Sequence, residues 1–399
     1  MRPGIDEYLN GLPLHEKISA LENYLRKVKN MSNDRIIIIG AGIAGASTAY
    51  FLTRRGVCNI RILEKEKIAG THASGLNAAI LRTMIPEQQL NRLARESAEF
   101  YLNPPAGFSP EPLVDKTGIY LVASKGNEAV LQSWCDDNPE TGMVLISVER
   151  VYERIPGLAR GIGMATWKAT DGVMDVHAIT QGFLRGAVRL GAEFCADVQF
   201  LGLRTQNGRV TGVETCNGFM EADKVVVANG AWVAVTETLG GYELPIVPYR
   251  RHLLVTEALP DLDSRQPIVW IVGEEFYFRP ESCGLLMCGC DATAVAPEQG
   301  EVIDPAQLEL IAAKSLRWLP GLSDSRVVTA WAGMRTFARD DQFVIGGDPR
   351  LRGLYWVAGL GGHGIACGPL VGQLATDWIV DGGSRHPAAA AFSPERLIH

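Results

Sequence analysis

The clearest chemistry in this chain of 399 residues belongs to glycines followed by one acid. Gly40-Ala-Gly42-Ile-Ala-Gly45 follows the apolar run 36–39 and opens a stretch, 44–55, that reads as a helix. In that setting the motif prepares a pyrophosphate site. Gly40 permits a tight turn, Gly42 lets the backbone approach the phosphates, and Gly45 lets helix and strand pack closely. Ile43 and Ala44 offer first-turn N–H groups and the positive end of the helix dipole. Glu64 ends the next apolar run 19 residues after Gly45, with Lys65 beside it. A carboxylate there accepts hydrogen bonds from ribose hydroxyls and repels a 2′-phosphate, which disfavours NADP.

Two later segments add glycines. Val225–Ala228 leads into Asn229-Gly230-Ala-Trp232, a strand delivering a glycine for close approach. Gly359-Leu-Gly361-Gly362-His363-Gly364-Ile365 is a glycine loop before a second helix, 365–380. Its alternative reading is an ordinary connector. As a ligand loop it would favour the negative charge that develops on a reduced flavin ring. No paired carboxylates, nucleophile with base, or metal-ligand spacing stands out.

The elements that must position these residues alternate. Strand, helix and strand over 36–63 make a βαβ unit, so the fold class is α/β. Helices are expected at 86–102, 176–190 and 305–317, and β-structure at 116–124, 193–204, 209–216, 223–228, 248–256 and 268–290. The proline-rich segment 103–112 must be loop, a crossing between lobes. Within residues 1–30, Ile18, Leu21, Leu25 and Val28 recur at helical spacing, an amphipathic helix before the main fold.

The fingerprint with Glu64, Ser74-Gly-Leu-Asn77-Ala78-Ala79, Ala228-Asn-Gly230-Ala-Trp232, Trp331-Ala-Gly333-Met-Arg335 and Gly361-Gly362-His363-Gly364 occur in that order. The chain thereby resembles the D-amino-acid oxidase and glycine oxidase family of flavoenzymes over about residues 31–383. Within it, the FAD-dependent D-arginine dehydrogenases and related D-amino-acid dehydrogenases look most similar. The resemblance implies a discontinuous Rossmann-type FAD-binding domain at 31–112, 175–245 and 325–385. It implies a second, α+β substrate domain with a mixed sheet at 113–174 and 246–324, leaving 386–399 as a tail. FAD would be held by Gly40, Gly42, Ile43, Ala44, Gly45, Glu64, Lys65, Ser74, Asn77, Ala78, Ala228, Gly230, Trp232, Gly333, Arg335, Gly361, Gly362, His363, Gly364 and Ile365.

The implied reaction moves a hydride from a substrate Cα–H to flavin N5, giving an imine that hydrolyses to a keto acid. Arg335 matches the arginine that clamps the substrate carboxylate, and Tyr277 a tyrosine over the substrate. Arg250 or Arg251 falls near a second basic contact; neighbours on a strand face opposite ways, so at most one points inward. His363 is either a satisfied loop histidine or a polar wall, and His72 supports the flavin loop. Ile80, Ile85 and Ile119 stand where D-arginine enzymes carry polar groups, so neutral or apolar amino acids should surpass D-arginine. Gly333 falls where monomeric sarcosine oxidases carry the cysteine that binds flavin, so the FAD should be non-covalent. Met287 falls where those oxidases carry a lysine that helps oxygen react, which favours a quinone or partner protein over O₂ as electron acceptor. The rivals are an FAD-dependent 2-hydroxy acid dehydrogenase with His363 as base, and a flavoprotein subunit docked through residues 1–30.

Composition bounds the rest. With 38 Lys plus Arg against 45 Asp plus Glu, the net charge of −7 argues against nucleic acid as partner. No apolar run of about 18 residues exists, so no membrane span is expected. Eight scattered cysteines without C-x-x-C spacing read as free thiols in a reducing compartment, the cytoplasm.

Overall fold

The computed structural model describes residues 33–235 and 238–398. The helix expected within 1–30 lies outside them. Ile36–Ile39 is buried at all four positions, as a central parallel strand should be. It pairs in parallel with Ile60–Leu63 on one side and Lys224–Val227 on the other. Glu193–Cys195 and Leu354–Ala358 extend the sheet in parallel, and antiparallel Val344–Gly347 closes one edge. Ile36 and Ile38 face a core shared with helices Ile43–Arg54, Val176–Arg189 and Gly368–Asp381. Ile37 and Ile39 face a second core, roofed by the three-stranded sheet spanning 200–221.

The second layer is a mixed nine-stranded sheet. Its one parallel pairing joins Ile119–Ser124 to Ile268–Val272; antiparallel Phe276–Glu281, Gly284–Cys288 and Ile246–Thr256 follow. Val327–Ala338 pairs along Ile246–Thr256, from Ile246 opposite Ala338 to Thr256 opposite Val327. The expected division at 325 therefore precedes a strand whose hydrogen bonds run into the large sheet. The chain rejoins the first sheet only at Val344–Gly347.

Other differences are local. Helices Glu128–Asp137 and Val148–Arg154 were not expected. The second glycine loop turns through Ala366, and its helix starts at Gly368, with Pro369 in the first turn. Proline needs no N–H partner there and its φ is already helical. Residues 386–398 are more than a tail: Phe392 is fully buried, 5.6 Å from the Phe343 ring.

Candidate functional site

A cavity of about 510 Å³ runs between the two sheets. One end is built by the first βαβ unit. Gly40 turns with φ +98°, and a Cβ on it would lie 2.6 Å from the Ala228 carbonyl oxygen. Only glycine closes that turn. A Cβ on Gly45 would lie 1.9 Å from the Gly40 oxygen, so the helix rests directly on the turn and Gly45 itself stays off the cavity wall. Gly42 caps the helix without a side-chain bond, and no acid stands in its first turn. The Ser74 hydroxyl accepts from Ile43 N–H at 3.0 Å, which draws the 74–79 loop over the helix start. Asn77 braces this loop: its amide donates to the Ser74 carbonyl, and its oxygen accepts from Ala79 N–H.

Glu64 is 8% exposed. One carboxylate oxygen accepts from Ala41 N–H at 2.9 Å and the other from Glu66 N–H at 3.0 Å. Trp232 closes this region between the Lys65 ammonium, 3.4 Å from its ring centre, and the His72 ring at 4.5 Å. His72 is held by Glu66 and Glu301, which makes it a brace. A turn too tight for a side chain, a bare helix N-terminus and a buried strand-end acid fit a dinucleotide.

The other end is lined by the large sheet. Tyr277 is 3% exposed and stacks on Trp270 at 4.4 Å with 20° between the planes. Burial raises its pKa, so the hydroxyl remains a donor. Arg335 is 7% exposed, and its one hydrogen bond among the described residues runs to the Met334 carbonyl at 3.0 Å. Arg251 donates to the carbonyls of Asp291 at 3.1 Å and Cys290 at 3.4 Å. Asp291 is itself fixed by His252, whose Nδ1 lies 2.7 Å from the carboxylate. Arg279 donates to the Ala78 carbonyl at 2.7 Å and so ties the 74–79 loop to the sheet. Burial, then Arg82, Arg251 and Arg335, push His363 down to about 3, so its imidazole is neutral near neutral pH.

Most of the expected residues line this one cavity, including Gly40, Gly42, Ile43, Ala44, Glu64, Lys65, Ser74, Asn77, Ala78, Ala228, Gly230, Trp232, Tyr277, Arg251, Arg335 and 361–365. Three do not. Arg250 lies on the opposite strand face, donating to the Val302 carbonyl at 3.0 Å and facing Asp304 at 3.5 Å. Gly333 is covered by the 74–79 loop: a Cβ there would sit 2.4 Å from the Leu76 oxygen. Gly45 serves packing, as above. Ile80 lines the cavity, but Ile119 and Ile85 are buried in separate apolar cores. Met287 is likewise buried in a core with Leu254 and Phe278.

Sequence reasoning passed over Arg82, Trp134, Trp270 and Cys290, all on the cavity wall. Arg82 had a readable signal: it interrupts the apolar run Ile80-Leu81-Arg82-Thr83-Met84-Ile85, where a charge needs a reason.

Fold and site together define a flavin-type dinucleotide oxidoreductase: a Rossmann-type FAD-binding domain and a second α+β domain whose mixed sheet covers the cavity. The chain belongs to the DAO family, FAD dependent oxidoreductases, whose model matches residues 35–378. It is 25% identical over 373 residues to a glycine oxidase of Pseudomonas putida, covering 90% of this chain and 98% of that one. It is also 25% identical to human mitochondrial dimethylglycine dehydrogenase over 87% of this chain, but spans only 42% of that protein's length. Among solved structures, L-proline dehydrogenase from P. horikoshii superposes with a TM-score of 0.81 at 22% identity, covering 91% of this chain and 97% of that one. That last likeness is one of fold.

Proposed function

We propose that the protein oxidises the C–N bond of an amino acid with a free carboxylate, of D configuration or N-substituted, giving an imine and then a keto acid. The observation that carries this reading is Arg335: a buried guanidinium on the cavity wall whose only hydrogen bond among the described residues goes to its neighbour's carbonyl. A guanidinium so placed grips a carboxylate with two parallel bonds and fixes the Cα–H direction. The names glycine oxidase and dimethylglycine dehydrogenase support the same substrate class.

Bound in the cavity, FAD supplies the hydride acceptor. Gly40, Gly42, Ile43, Ala44, Glu64 and the 74–79 loop would hold its nucleotide and phosphates, and 361–365 would border its ring end. Arg335 and Arg251 bind the carboxylate, and the Tyr277 hydroxyl donates to the substrate. No acid–base dyad is required when the amine binds uncharged. Electrons leave to a quinone, a partner protein or O₂. Eight free cysteines support a cytoplasmic setting. Among the described residues no helix is long and apolar enough to cross a membrane.

Oxidising a 2-hydroxy acid instead requires a base for the hydroxyl proton. His363, held at about 3, is too weak a base for that role at neutral pH. Anaerobic mixing of the holoenzyme with D-amino, N-methylamino and 2-hydroxy acids separates the readings. Flavin bleaching by amino acids is expected. Bleaching by 2-hydroxy acids alone would replace this reading with its rival.

A further inference from the structure

We propose that the substrate carries a second acid group, and that Arg82 holds it. The proposal rests on the amine-oxidising reading above and narrows it to amino dicarboxylates: acidic amino acids, or amino acids carrying a carboxyalkyl group on nitrogen.

Arg335 and Arg251 stand on the large sheet and together serve one carboxylate. Arg82 comes from a different segment, just past Ile80–Leu81, and reaches the same cavity. Its residue is only 8% exposed, and among the described residues its guanidinium takes part in no hydrogen bond or ion pair. What it does touch is aromatic: the guanidinium carbon lies 4.1 Å from the centre of the Trp270 ring and 6.0 Å from that of Trp134. Stacking of this kind fixes the plane of the fork and leaves its N–H edges free for a planar acceptor. A buried guanidinium without an acceptor is costly, so an anion is the ligand that makes the position tenable.

The protein's own acids do not supply it. Asp171 gives both carboxylate oxygens to Thr83, through the backbone N–H at 2.7 Å and the hydroxyl at 2.9 Å. Of the other acids on the cavity wall, Glu64 is engaged by the Ala41 and Glu66 N–H groups, and Glu87, Glu275 and Glu298 are exposed rim residues. The floor of the cavity thus carries three guanidiniums and a neutral imidazole. One carboxylate engages the pair on the sheet and leaves the third unanswered. Tyr277 stacks on Trp270, and it is Trp270, not the tyrosine, against which the Arg82 guanidinium rests. That position serves a substituent of the substrate at a distance from the reacting carbon.

The test compares isosteres that differ only in the second acid: D-aspartate with D-asparagine, D-glutamate with D-glutamine, and N-carboxymethylglycine with its amide. kcat/KM is measured on the holoenzyme with a dye acceptor. In at least one pair the acid should exceed the amide by roughly thirtyfold or more, the size of a desolvated charge pair. Arg82→Met should collapse that ratio to near one, and Arg82→Lys should keep part of it. Amides equal to or better than acids in every pair would overturn the proposal while leaving amine oxidation standing. A ratio unchanged in Arg82→Met would overturn it too. Flavin reduction by no amino acid at all would overturn the parent reading instead. The parent enzyme's ratios alone decide the matter if the variants fail to fold.

Discussion

Arg251 and Arg335 lie on one face of the same antiparallel pair, Arg251 opposite Gly333 and Arg335 opposite Tyr249. They are diagonal neighbours, a relation that spans about 7–8 Å between backbones. Two like charges so close disfavour each other: after burial, Arg251 is the largest influence lowering the pKa of Arg335. A carboxylate between them relieves the repulsion. Arg250, one residue along, points to the other side and is occupied by Val302 and Asp304. Arg251→Met should therefore lower kcat/KM about a hundredfold. Arg250→Met should cost about 1 kcal/mol of stability and leave kcat/KM nearly unchanged. Equal kinetic losses in the two variants, with melting temperatures as the control, would show that the strand faces are misassigned.

Glu64 is bound on the protein side by Ala41 and Glu66 N–H groups. Glu64→Ala removes a charged acceptor from a buried turn. Titration of apoprotein with FAD, followed by flavin fluorescence, should show affinity weakened at least tenfold, the size of a lost charge-assisted bond. An unchanged Kd would place the ribose elsewhere.

The flavin should be released intact by acid or heat. Gly333 has no thiol to offer, and any side chain there would collide with the Leu76 carbonyl. Yellow colour remaining on the denatured chain would contradict this, and would direct attention to Cys290, which lies on the cavity wall.

His363 sets a pH dependence of defined sign. Its folded pKa of about 3 lies below the unfolded value near 6.5. Between those values the unfolded chain binds the extra proton, so stability is lost as pH falls through that window. Thermal melts at about pH 7 and pH 5 should show a smaller acid loss for His363→Asn than for the parent. The pH profile of kcat/KM near neutrality should have the same shape in the variant as in the parent. A midpoint lost with His363 would make it the base and favour a hydroxy acid substrate.

What was legible in the sequence was local. The turn at Gly40, the rest point at Gly45 and the acid at Glu64 are fixed by neighbours within one βαβ unit, and their spacing suffices. What was not legible depended on which way a strand faces. Met287 was matched to a position beside the flavin. Within Gly284–Cys288, however, Leu286 and Cys288 share a cluster with Tyr277, while Leu285 and Met287 turn into the opposite core. A shift of one residue reverses the side. The same parity separates Arg251 from Arg250, and only pairing with Val327–Ala338 decides it. Arg82 was passed over because its meaning comes from Trp270, 188 residues away in sequence (270 − 82).

The most direct measurement of the central claim is the kinetics of Arg335→Met, taken together with its FAD content. The residue is assigned to the substrate carboxylate, so FAD per chain should match the parent. kcat/KM for the best amino acid should fall on the order of a thousandfold, as expected when a buried charge pair is broken. Arg335→Lys keeps the charge but loses the fork, and should remain at least about tenfold below the parent. An Arg335→Met enzyme that holds its FAD and turns over amino acids at the parent rate would contradict the carboxylate clamp, and with it the reading of this protein as an amino-acid oxidising flavoenzyme.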